Sequence, residues 1–220
     1  MKKLLTMTTA AAGLTVLMAA PALATPLNTT FSVKTYSGSN TNGSGDGTQK
    51  ALPSAISLIQ GSSLSSSGNF TFTGQLNLNR SSGSGTIADF FASAPAGSST
   101  SGAVPTTVMS TTGYGTETLM VFTFTTASEI KGSITHDDGI SIYQGSTQIL
   151  ASANPTAAIP TSFDLQAGTY DLYYSEANGL PAVLNFNVTS PAAVPEPVSM
   201  ALLGTGLLGL GLVRRRAGRA

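Results

Sequence analysis

Alternation of apolar and polar residues at every second position is the feature that most constrains this chain. Phe70-Thr71-Phe72-Thr73 and Val121-Phe122-Thr123-Phe124 place every other side chain on one face, as a strand with one buried side requires. Comparable stretches, rich in Thr, Val, Ile and aromatics, run near residues 31–36, 70–78, 118–126, 131–135, 140–143, 169–174 and 182–188. Only 52–60 and 87–94 fit short helices, while Gly/Ser-rich segments at 38–47, 61–68 and 97–102 separate the strands as loops. Many short strands divided by turn signals predict an all-β fold, an antiparallel β-sandwich. The chain has no cysteine, so the sandwich must be stable without disulfides.

Both ends depart from this pattern. Lys2 and Lys3 precede an apolar stretch over 4–20, and the small residues Ala22 and Ala24 flank Leu23. Residues 1–24 therefore read as a secretory signal helix cleaved after Ala24. At the other end, Pro195-Glu196-Pro197 makes 191–197 an extended strap, because proline locks φ, lacks an N–H and holds the residue before it out of the helical region. The uncharged run 198–213 would reach roughly 24 Å as a helix, slightly under a typical ~30 Å hydrocarbon core, and is expected to be a transmembrane helix. Its glycines, Gly204, Gly206, Gly209 and Gly211, allow a second membrane helix to approach closely. Arg214, Arg215 and Arg216, with Arg219, make 214–220 a basic cytoplasmic tail and leave the body of the protein outside. What remains, 25–190, is long enough for one exported domain with its own core.

The formal net charge of zero hides an asymmetry. Once the targeting segments are set aside, the basic residues are Lys34, Lys50, Arg80 and Lys131. Against them stand Asp46, Asp89, Glu117, Glu129, Asp137, Asp138, Asp164, Asp171 and Glu176. An acidic domain without clustered Lys and Arg is not a nucleic-acid binder, and cations or neutral polar ligands suit it better. Catalysis has few means. His136 is the only histidine, its neighbour Asp137 is badly placed to orient it, and no Gly-x-Ser-x-Gly elbow is present. Without cysteine or a second histidine a zinc centre is not expected either, and the chain reads as a non-enzyme.

The order of Pro195-Glu196-Pro197, a short apolar helix and an arginine cluster resembles the PEP-CTERM sorting signal of Gram-negative bacteria. The resemblance implies recognition by an exosortase, a membrane transpeptidase. The protein would be anchored in the inner membrane before sorting, then released to the cell surface or extracellular matrix.

A second resemblance lies within the domain. Here Asp137-Asp138-Gly139 follows a strand, 163–170 reads Phe-Asp-Leu-Gln-Ala-Gly-Thr-Tyr, and 173–181 reads Tyr-Tyr-Ser-Glu-Ala-Asn-Gly-Leu-Pro. Over 117–188 this is similar to the lectin-like β-sandwich of anthrax protective antigen and the yeast flocculins. Consecutive strand residues point to opposite faces, so Asp137 and Asp138 can serve one ion only if the backbone between them leaves β geometry. In sugar-binding members of that family the departure is a cis peptide. The resemblance implies a Ca2+ site made by Asp137, Asp138 and Glu176, with backbone carbonyls near Asn178 and Leu180. The local alternative is a turn, with aspartate capping its own backbone and Gly139 at positive φ. Two functions stay open. One is a calcium-assisted module for glycan or exopolysaccharide; the other is a structural envelope or matrix component with no small-ligand site. The tyrosines at 143, 170, 173 and 174 are expected to be core residues with hydroxyls at the rim.

Overall fold

A computed structural model of the protein describes residues 24–39, 43–81 and 85–189. They belong to the unit Leu23–Ser190. The expected cleavage residue Ala22, the sorting motif with Pro195, Glu196 and Pro197, the helix 198–213 and the basic tail with Arg214, Arg215 and Arg216 lie outside the described residues. Ala24 is described and begins the first strand.

The strands are β1 (Ala24–Pro26), β2 (Asn28–Ser39), β3 (Ser66–Gln75), β4 (Asn77–Arg80), β5 (Ser99–Ser101), β6 (Thr116–Thr126), β7 (Ile130–Asp137), β8 (Ile140–Gln144), β9 (Thr147–Ser152), β10 (Ile159–Leu165), β11 (Gly168–Glu176) and β12 (Ala182–Thr189). Two short helices interrupt them, α1 (Pro53–Gln60) and α2 (Ile87–Ala92). All pairings are antiparallel. One sheet runs β1-β12-β7-β10, with β4 also on β12, and the other runs β5-β3-β2-β6-β11-β8-β9. The predicted all-β antiparallel sandwich is the observed fold. The expected strand over 70–78 divides at Leu76, whose backbone bonds to Leu27 and Phe186 rather than continuing the β2 ladder. The main core lies between the sheets, where Phe31, Phe72, Phe122 and Phe124 meet Ile134, Leu184 and Phe186.

A helix can lie on this scaffold only where its ends and one apolar stripe are satisfied. The Thr86 side chain accepts the Asp89 amide at 3.1 Å while Asp89 accepts back, a capping box that starts α2 and sets Phe90 and Phe91 into the core. Pro53 opens α1, and Ala55 and Ile59 seal a second apolar cluster with Leu119, Val121 and Tyr173 on the outer face of the seven-stranded sheet. Along β6 the alternation therefore feeds two cores, with Met120, Phe122 and Phe124 inside and Leu119 and Val121 under α1.

Candidate functional site

Where β7 turns into β8, Asp137 and Asp138 are joined by a cis peptide bond, and both line one cleft of about 320 Å³. The opposite wall is the loop after β11, with Asn178, Gly179, Leu180 and Pro181, and a third side comes from residues 155–157. The turn expected from local sequence alone is corrected in one respect. Gly139 is not among the glycines at positive φ; it is required because a Cβ there would come within 2.3 Å of the Ala153 carbonyl oxygen.

The Asp138 carboxylate is held by backbone amides, with Oδ2 accepting from Ala177 at 2.8 Å and Oδ1 from Thr156 at 3.2 Å. The Asn178 amide also favours the charged carboxylate, and with about four lone-pair sites on its two oxygens the group keeps room for a further partner. Burial raises the proton affinity of both aspartates, and burial together with the Asp138 charge pushes Asp137 up to about 6. The ion pairs found among the described residues, Lys131 with Glu129 and with Asp164, involve neither.

Glu176 is fully buried and does not line the cleft. Its Oε1 accepts from Ser110 Oγ at 2.9 Å, and its Oε2 lies 3.0 Å from the Tyr174 hydroxyl. That hydroxyl also donates to the Asp137 carbonyl at 2.5 Å. A phenol has one proton and the carbonyl can only accept, so the contact with Glu176 is satisfied when the carboxyl keeps its own proton. Burial, followed by the charge of Asp138, raises its proton affinity strongly in the same direction. Glu176 thus ties the Ser110 segment, Tyr174 and the backbone at Asp137 together, and Ser110 Oγ accepts the Gly179 amide at 2.9 Å.

His136 is buried with its ring Nδ1 against the Asp138 carbonyl and Nε2 2.8 Å from Thr161 Oγ1, and burial lowers its proton affinity. It braces β7 against β10. Tyr170 and Tyr174 are core residues as expected, but the Tyr174 hydroxyl works inside the core rather than at a rim. Sequence reasoning missed Ser110, Thr156 and Ala177, which act through single hydroxyls or amides and leave no sequence pattern.

Of the five positions expected to hold calcium, the fold gathers Asp137, Asp138, Asn178 and Leu180 around one cleft and sets Glu176 apart from it. Among the described residues no three His, Cys, Asp or Glu side chains converge as a metal cluster. The cleft nevertheless offers oxygen donors, two carboxylates without a basic partner among the described residues plus the carbonyls of a loop, and this chemistry fits a hard cation.

A protein-family model described as the PEP-CTERM protein-sorting motif matches residues 193–216. The chain carries a PEP-CTERM sorting signal. That signal marks an exported protein which passes through the membrane to the cell surface. The fold is similar to two solved structures. One is a PA14 sugar-binding domain from an RTX adhesin, with 14% identity over 70% of this chain and 86% of that one and a TM-score of 0.43. The other is the PA14 domain of the antifreeze protein MpAFP, with 15% identity over 78% of this chain and 88% of that one and a TM-score of 0.42. No curated protein matches the chain.

Proposed function

We propose that this PEP-CTERM protein is a non-enzymatic surface or matrix module that binds a glycan or exopolysaccharide at the Asp137–Asp138 cleft with the help of a calcium ion. The observation that supports this most is the cleft itself, in which two adjacent carboxylates without a basic partner among the described residues face a loop rich in backbone amides and carbonyls. Asp137 and Asp138 would hold the ion, with carbonyls near Asn178 and Leu180 completing its shell, and the ion would offer coordination to sugar hydroxyls. Glu176 supports the site by holding Tyr174 and Ser110 in place. An exosortase-type transpeptidase would process the 193–216 signal, with inner-membrane anchoring through 198–213 beforehand and release to the surface or matrix of a Gram-negative cell afterwards.

The test is retention of the full chain, solubilised in mild detergent, on immobilised polysaccharides with calcium and with chelator. Binding that requires calcium and is lost in Asp137→Asn is expected. Equal retention in chelator, or no retention on any glycan, refutes the assignment and leaves a structural envelope component.

A further inference from the structure

A second set of oxygens lies on the other face of the seven-stranded sheet. Thr118 of β6 faces inward and donates to the Met109 carbonyl at 2.7 Å, so its neighbour Glu117 points outward, beneath the turn Gly47–Gln49 that precedes α1. Glu117 is 1% exposed, and among the described residues neither carboxyl oxygen has a partner in full hydrogen-bond geometry. Thr48, 7% exposed, turns its hydroxyl toward Glu117 without full hydrogen-bond geometry, near enough to favour the charged carboxylate. Asp46 heads the turn, accepts the Thr48 amide at 3.3 Å and adds a second negative charge to the group.

A buried carboxyl is costly, and the Thr48 hydroxyl beside it offsets only part of that cost, since burial still dominates. The segment around them is nonetheless firmly built. Gln49, fully buried, donates Nε2 to the Gly43 carbonyl at 2.5 Å and accepts the Gly45 amide at 2.9 Å. The curl passes through Gly43 at φ 71° and Gly45 at φ 93°, a region open to glycine. Beyond it the Ala51 amide bonds to the Ala153 carbonyl at 2.9 Å. Rigid backbone surrounds the Glu117 and Thr48 oxygens.

We infer that Glu117, Asp46 and Thr48 form a binding site for a calcium-class divalent cation, separate from the Asp137–Asp138 cleft. Both carboxylates and the hydroxyl are hard oxygen donors, and calcium completes a shell of six to eight oxygens with water or carbonyls. Ser44 and Gly45, next to Asp46 in the chain, are exposed. The bound ion fastens segment 43–49 to β6, and with it the cover over Leu119, Val121 and Tyr173. Its role is to hold the fold, not to meet sugar.

Calcium alone, titrated by calorimetry into the metal-free full chain in detergent and into Glu117→Gln and Asp137→Asn, decides the matter. Two ions per chain are expected in the wild type and one in Glu117→Gln. Tryptic cleavage after Lys50 should slow about tenfold with calcium in the wild type, since binding removes opened states by mass action, and should not change in Glu117→Gln. Equal stoichiometry in wild type and Glu117→Gln overturns this site. If Asp137→Asn alone abolishes binding, the cleft assignment stands and this one falls; if Glu117→Gln alone does so, the reverse holds. No binding to the wild type overturns both.

Discussion

Replacing Glu117 by Gln should change how stability depends on pH, in a direction fixed by the fold. Burial, the largest cause, and the charge of Asp46 push the Glu117 carboxyl from 4.5 up to about 7, while the neighbouring Thr48 hydroxyl works in the opposite direction. The folded protein therefore holds this proton more tightly than the unfolded chain does. Below pH 4.5 both states are protonated and the contribution to stability is fully present. Between pH 4.5 and about 7 it is lost, and above 7 the loss is constant. From 4.5 to about 7 at about 1.4 kcal/mol per pH unit, the loss is about 3–4 kcal/mol. Glutamine keeps the shape and cannot ionise, so Glu117→Gln should lack this slope. The assay is urea unfolding of both proteins in chelator at intervals from pH 4 to pH 8. Asp137, Asp138 and Glu176 also carry raised proton affinities, but they are unchanged in the variant and cancel in the difference between the two proteins. A difference that stays flat across the window would show that Glu117 is solvated or paired in solution, and would falsify the argument.

Tyr174→Phe removes the hydroxyl that bonds the Asp137 carbonyl and faces Glu176, and leaves two buried groups unmatched, so urea unfolding should show a loss of about 1–3 kcal/mol without loss of the fold. Gly139→Ala would drive a Cβ to 2.3 Å from the Ala153 carbonyl oxygen, and the backbone shift that relieves it should lower stability by about 1–3 kcal/mol, seen as a reduced Tm.

The sandwich was legible because period-two alternation reports which face of a strand is buried, and Phe70-Thr71-Phe72-Thr73 and Val121-Phe122-Thr123-Phe124 keep that period without interruption. β5 and β10 were not legible. Ser99–Ser101 is wholly exposed, and β10 begins Ile159-Pro160-Thr161-Ser162, where only Phe163 and Leu165 face the core. A strand that buries so little carries almost no pattern. At the candidate site, the family resemblance pointed to Asp137, Asp138, Asn178 and Leu180, which the fold brings around one cleft, but the setting of Glu176 was not legible. Its neighbours depend on Ser110 lying 66 residues away and on which side of β11 faces inward. The Glu117 cluster was harder still, because it joins residues from the 43–49 loop to a strand far along the chain, with nothing regular in their spacing.

Thr118 pairs with Glu176 across β6 and β11, so Glu117 and Glu176 stand on adjoining strands but on opposite faces of one sheet. Both are buried acids, and burial raises the proton affinity of each. Their partners separate them. Glu176 lies between the hydroxyls of Ser110 and Tyr174, which can accept from a protonated carboxyl as readily as they donate to an ionised one, so a neutral acid completes its bonds. Glu117 has one hydroxyl beside it, that of Thr48, and a proton shared with it would leave the other carboxyl oxygen unmatched among the described residues. A proton is enough to settle the first acid, whereas the second needs a ligand that can engage both of its oxygens and the Thr48 hydroxyl together, as a divalent cation does.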